Sequence, residues 1–168
     1  SLNINIEQTI LRNLLVNEPF MRKVLPFVKP EYFEGVYRQL YKEVGKYVAK
    51  YNRLPSAETF KIEIDQSDTF SDEQYRHAVE IMPEIFKAEQ TDNEWLIDTT
   101  EKWCQDRAIH NAIMDSIQII DGKHETLTKN AIPDVLTKAL SITFDPNVGH
   151  DYLNDFNERF DFYTRDEE

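Results

Sequence analysis

The sequence predicts an all-α protein, and three observations predict it. Apolar residues recur at helical spacing in almost every segment, capping signals stand where those runs begin, and strand alternation is nearly absent. The expected arrangement is an N-terminal helical bundle over residues 1–90, then a long antiparallel helical hairpin over 91–144. Residues 145–168 would hold the start of a linker helix.

The elements follow in order. Ile6, Ile10, Leu11, Leu14 and Leu15 make a first amphipathic helix, with Asn5 and Gln8 as its cap. Asn17 and Pro19 open a short second helix carrying Phe20, Met21, Val24 and Leu25, which Pro26 and Pro30 break. A third runs from about Val36 to Tyr51, with Tyr37, Leu40, Tyr41, Val44, Val48 and Tyr51 inward. Leu54-Pro55-Ser56 is a turn, and Ser56 caps a fourth helix that ends near Ile64. Ser71 and Gln74 form a capping pair for a fifth, which Pro83 kinks or splits.

Thr91-Asp-Asn-Glu94 is the strongest capping box in the chain. It opens a helix of roughly 30 residues that stops at Asp121-Gly122, where glycine supplies the left-handed C-cap. The polar connector KHETLTKN follows, and Pro133 starts a helix with Val135, Leu136, Ala139 and Leu140. Two helices joined by so short a loop pack as an antiparallel hairpin. Ala108, Ile109, Ala112, Ile113, Ile117, Ile119 and Ile120 cover roughly half the circumference of the long helix at about 100° per residue. One hairpin partner needs a stripe of only about 100°. Either the N-terminal bundle or a second copy of the hairpin must cover the rest.

After Asp145-Pro146 and Gly149 a further amphipathic run begins, with Tyr152, Leu153, Phe156 and Phe160 on one face. It reads as an element that continues beyond residue 168, so the sequence is expected to be a piece of a longer protein.

Charge and composition narrow the function. The net charge is −12, from 31 Asp and Glu against 19 Lys and Arg. Residues 1–66 hold ten basic and eight acidic side chains, residues 67–144 seven and fifteen, and residues 145–168 two and eight. Such an acidic surface repels phosphate, which points to protein partners with basic faces. Apolar runs are only a few residues long, far short of the about 20 that a membrane span needs, and SLNINIEQTILRNLL, with no basic stretch before its apolar part, does not read as a secretory signal. The single Cys104 forms no intrachain disulfide.

Catalytic chemistry is sparse. Gly35, Gly45, Gly122 and Gly149 stand isolated, and Gly122-Lys123 lacks the upstream glycine of a phosphate-binding loop. His77, His110, His124 and His150 are scattered without metal-ligand spacing. The chain therefore offers no catalytic, cofactor or metal site. One basic feature stands out: Arg38, Lys42, Lys46 and Lys50 recur every four residues, interleaved with Tyr41, Tyr47 and Tyr51. This is either the solvent face of an amphipathic helix or a weak contact for single-stranded DNA.

The opening, IEQTILRNLLVNEPFMRKVLPFVKPEYFEGVYRQLYKEVGKYVAKYNRLPSAETF, resembles the N-terminal region of DnaB-type replicative DNA helicases. EWLIDTTEKWCQDRAIHNAI and AIPDVLTKALSITFDPNVGHDYLNDFNERF resemble the branch found in T-even-like bacteriophages. The resemblance spans nearly the whole chain. It implies an N-terminal collar domain, whose hairpins pair subunits within a hexameric ring and which docks primase or the helicase loader. The self-association residues would be Ile109, Ile113, Ile117, Ile120, Val135, Leu136 and Leu140. Tyr152, Leu153, Phe156 and Phe160 would begin a linker that docks on an adjacent RecA-like ATPase domain. ATP and Mg, and single-stranded DNA, would be bound by that further domain, in the cytoplasm of an infected bacterium. The connector KHETLTKN is short for the family, so the hairpin tip would meet partners differently. The residues alone leave two other readings open, an all-α interaction adaptor and a weak single-strand binding module. A GxxxxGK[ST] motif within roughly 50 residues downstream would distinguish the first reading from these.

Overall fold

The computed structural model describes residues 2–89 and 91–145. Among them are seven α-helices and no strand. They are α1 (Leu2–Val16), α2 (Glu18–Val24), α3 (Gly35–Tyr51), α4 (Ala57–Gln66), α5 (Asp72–Ile85), α6 (Asn93–Ile120) and α7 (Ile132–Leu140). Short 3₁₀ turns at Leu25–Phe27 and Pro30–Tyr32 link α2 to α3, and another at Lys129–Ala131 leads into α7.

In the bundle α2, α3 and α5 pack on α1, α5 packs also on α3, and α4 packs on α5. Ile10, Leu11 and Leu14 of α1 and Leu40, Tyr41 and Val44 of α3 have almost no solvent contact. Phe60 and Ile64 of α4 and Ala78 and Ile85 of α5 join the same cluster. The cluster continues into Leu96, Trp103, Cys104, Ala108 and Ala112 of α6. Phe33 joins the two parts, with its ring 5.0 Å from Tyr41 and 4.8 Å from Trp103. The buried Tyr41 hydroxyl donates to the Val28 carbonyl at 2.7 Å, so the polar end of a core ring is satisfied.

Several caps fall where the spacing places them. Asn17 accepts the Phe20 N–H at 3.2 Å, and Ser56 accepts the Thr59 N–H at 3.1 Å. Ser71 and Gln74 form a complete reciprocal capping box. Gly122 has φ +71°, with Gly122 N–H donating to Ile119 and Lys123 N–H to Gln118, the two bonds of a Schellman stop.

Four details differ from the sequence reading. α1 begins at Leu2, which puts Asn5 inside the helix and not at its cap. Pro83 lies inside an unbroken α5, in its last turn, where a missing N–H removes one bond close to the end. Tyr51 is 45% exposed: as the last residue of α3 it has passed beyond the core, and it packs on Tyr47 at 4.6 Å. The cap of α6 is Asp92, which accepts the Glu94 N–H at 3.2 Å. Thr91 is drawn away because its hydroxyl accepts from Arg12 at 3.0 Å and Asn13 at 3.3 Å.

α6 and α7 form the hairpin, and the chain after α7 runs back along α6. The Glu101 carboxylate accepts the Phe144 N–H at 2.6 Å, and the Gln105 amide donates to the Ile142 carbonyl at 2.9 Å. Phe144 then stacks on Phe27 of the bundle at 4.8 Å.

Candidate self-association face

The orientation of α6 is set by one row of polar anchors. Arg107 Nε donates to the Tyr32 carbonyl at 2.9 Å, and its Nη2 donates to the Glu34 carboxylate at 3.1 Å. One turn on, the Asn111 amide donates to the Glu31 carbonyl at 3.0 Å. These bonds hold one side of α6 against the Pro30–Tyr32 turn. Ala108, Ala112 and Ile119 are buried on the neighbouring side, toward the core and α7. Two buried hydroxyls on this helix are satisfied, since Thr100 and Ser116 donate to the carbonyls four residues back.

Ile109, Ile113, Ile117 and Ile120 fall within about 80° of one another on the far side of α6. Ile113 is 48% exposed, Ile117 46% and Ile120 58%. Ile109 is half-buried against the core. The structure therefore brings three of the predicted residues together as an open apolar strip and turns the fourth partly inward. On α7, Val135 and Leu136 are half-buried against the core, while Leu140 is 71% exposed. Tyr152, Leu153, Phe156 and Phe160 lie outside the described residues.

Some exposed apolar residues escape a reading by stripe. Met114 and Leu127 stand open on α6 and on the connector at the hairpin tip. Trp95 is also exposed, and it lies 18 residues before Ile113, five helical turns, hence on the same side of α6. That interval was the available signal; Lys102 and Asp106 lie between and mask it.

The basic stripe on α3 is engaged by the protein itself. Arg38 Nε donates to the Phe33 carbonyl at 3.0 Å, and the Lys50 ammonium lies 5.3 Å from the Tyr51 ring centre. Lys46 is 3.6 Å from Glu43, a buried carboxylate whose pKa burial raises. Lys42 is half-buried and also has a partner.

Elsewhere the titratable groups have structural roles. Cys104 is fully buried, and burial raises its thiol pKa, so it is a packed, protonated thiol. His124 Nδ1 accepts the N–H groups of Thr126 and Leu127 and shapes the connector. His77 packs its edge on Tyr37. Among the described residues no group of three His, Cys, Asp or Glu side chains is placed to hold a metal. No helix among them is long and apolar enough to cross a membrane.

No family model matches the chain. It is similar to the DnaB-like replicative helicase of Enterobacteria phage T4, with 30% identity over 162 residues. That match takes in 91% of this chain and 34% of the phage protein, so the chain spans about a third of the length of its relative. Over nearly all of its own length, the chain is a homologue of a DnaB-like replicative helicase.

Proposed function

We propose that this domain is the N-terminal collar of a hexameric replicative helicase, and that it assembles subunits and docks primase or the helicase loader. The observation that carries the reading is the open strip of Ile113, Ile117 and Ile120 on α6, turned away from both the bundle and α7. Three large aliphatic side chains, each about half exposed on one helix face, make a patch that an isolated soluble domain rarely keeps. A second copy of the same hairpin, related by a twofold axis, would cover it with its own isoleucines.

The whole protein would unwind duplex DNA at the replication fork, using ATP and Mg bound in a separate ATPase domain. Single-stranded DNA would pass through that domain, in the cytoplasm of an infected bacterium. Residues 150–164, with Tyr152, Leu153, Phe156 and Phe160, would dock on the ATPase domain of an adjacent subunit.

Sedimentation velocity over a concentration series tests the assembly role. The chain is expected to associate as its concentration rises, and Ile117→Asp to abolish the association. Association unaffected by that charge would place the contact elsewhere and overturn the reading.

A further inference from the structure

The apolar run near the end of the chain is the sequence feature that the described residues leave without a seat. A cleft of about 530 Å³ lies between the bundle and the hairpin, close to where the described chain ends. Its apolar lining includes Ala108, Ala112, Met114, Val135, Ala139 and Ile142. Lys29, Arg38 and Lys138 stand around it as cations, with Glu31 and Asp115 as the acidic members. Arg38 and Lys138 are held there by the Phe33 carbonyl and by Asp134.

We propose that this cleft is a seat in cis for the chain's own residues 151–160. Three observations support this occupant. The first is position: Ile142, three residues before the last described residue, lines the cleft. From Asp145, eleven residues reach Phe156, a span of up to about 38 Å if extended, so length does not limit the return. The second is shape: the buried floor residues Ala108, Ala112 and Ala139 have short side chains, and above them a ring such as Tyr152 or Phe156 finds room. The third is charge: residues 146–168 carry seven carboxylates against two arginines, and the cations Lys29 and Arg38 stand on the bundle side of the cleft.

The inference rests on the reading of residues 150–164 as a docking segment and gives that segment a second, competing seat. Bound to its own cleft it is withheld; released, it is free to engage a neighbouring subunit.

A cross-link between Met114, which lines the cleft, and Phe156 tests the proposal on the whole 168-residue chain. Met114→Cys and Phe156→Cys are introduced together and treated at low concentration with a short bismaleimide. The native Cys104 is buried and does not compete. The control pairs Phe156→Cys with Ile62→Cys, an exposed position on α4 outside the cleft. The expected product is a linked peptide pair within one chain, at a yield at least fivefold above the control. A yield equal to the control, or a product formed only between chains, overturns the cis seat. Repeating the reaction with Ile117→Asp separates the two proposals, since loss of self-association leaves an intrachain product unchanged.

Discussion

The carboxylate of Glu7 on α1 accepts the backbone N–H of Glu34 at 3.2 Å and so completes the N-terminus of α3 from a different helix. Residue 34 provides no side-chain cap of its own. Glu7 takes the part that the third helical residue plays in a capping box. Burial pushes its pKa from 4.5 up to about 7; the accepted N–H and the cations Arg107 and Arg38 pull the other way, and Glu34 adds to the rise.

A stability profile follows from this shift. Between pH 4.5 and about 7 the folded chain binds the Glu7 proton and the unfolded chain has lost it. The contribution of Glu7 is thus most favourable below pH 4.5 and declines as pH rises toward 7. Glu7→Gln keeps an acceptor oxygen and removes the charge. At pH 8 the variant is expected to be more stable than the parent by about 1 kcal/mol, a value discounted for solvent screening. The gain should vanish at pH 4.5. Urea midpoints at the two pH values measure this, and a gain of equal size at both would show that Glu7 does not titrate in this range.

The start of α6 gives a second prediction. Asp92→Ala removes the cap and is expected to cost about 1 kcal/mol, with Asp92→Ser recovering most of it. Thermal melts of the two variants compare them directly. If both substitutions cost the same, the carboxylate acts by some route other than accepting the Glu94 N–H.

Local signals were legible in the sequence where the chain decides its own conformation. Asn17, Ser56, Ser71 and Gly122 act within a few residues of themselves, and spacing is enough to find them. Spacing does not reveal that Thr91 is no cap, because its hydroxyl is claimed by Arg12 and Asn13, nearly 80 residues away. The Glu7–Glu34 and Arg107–Tyr32 contacts were invisible for the same reason, as no periodicity encodes a partner on another element. On α6 the apolar count was readable but its division was not. Only the direction set by Arg107 and Asn111 decides which isoleucines face solvent.

The stop of α6 depends on a left-handed residue. Gly122 has φ +71°, and a Cβ there would meet nothing within 4 Å. The cost of a side chain is therefore conformational alone. Gly122→Val is expected to destabilise by about 1–2 kcal/mol, and Gly122→Asn by clearly less. Urea unfolding of the pair measures the difference. Equal costs would mean that the hairpin tip rearranges and abandons the Schellman stop.

Ile109 and Ile113 sit one turn apart on the same strip of α6, yet they answer to different surroundings. Ile109 packs against the protein's own core, whereas Ile113 is half open to solvent. A carboxylate at 109 loses apolar contacts and is partly desolvated, so Ile109→Asp should cost about 2–3 kcal/mol of folding stability. At 113 the carboxylate stays hydrated in a single copy, and the folding cost should stay within about 0.5 kcal/mol. Between two copies the order inverts. Ile113→Asp would bury an unpaired charge in the shared contact and abolish association, because removing water from a lone carboxylate costs several kcal/mol. Melting and sedimentation on both variants read the two effects separately. A large loss of melting temperature in Ile113→Asp would assign that residue to the domain's own core and remove the open strip on which the assembly reading stands.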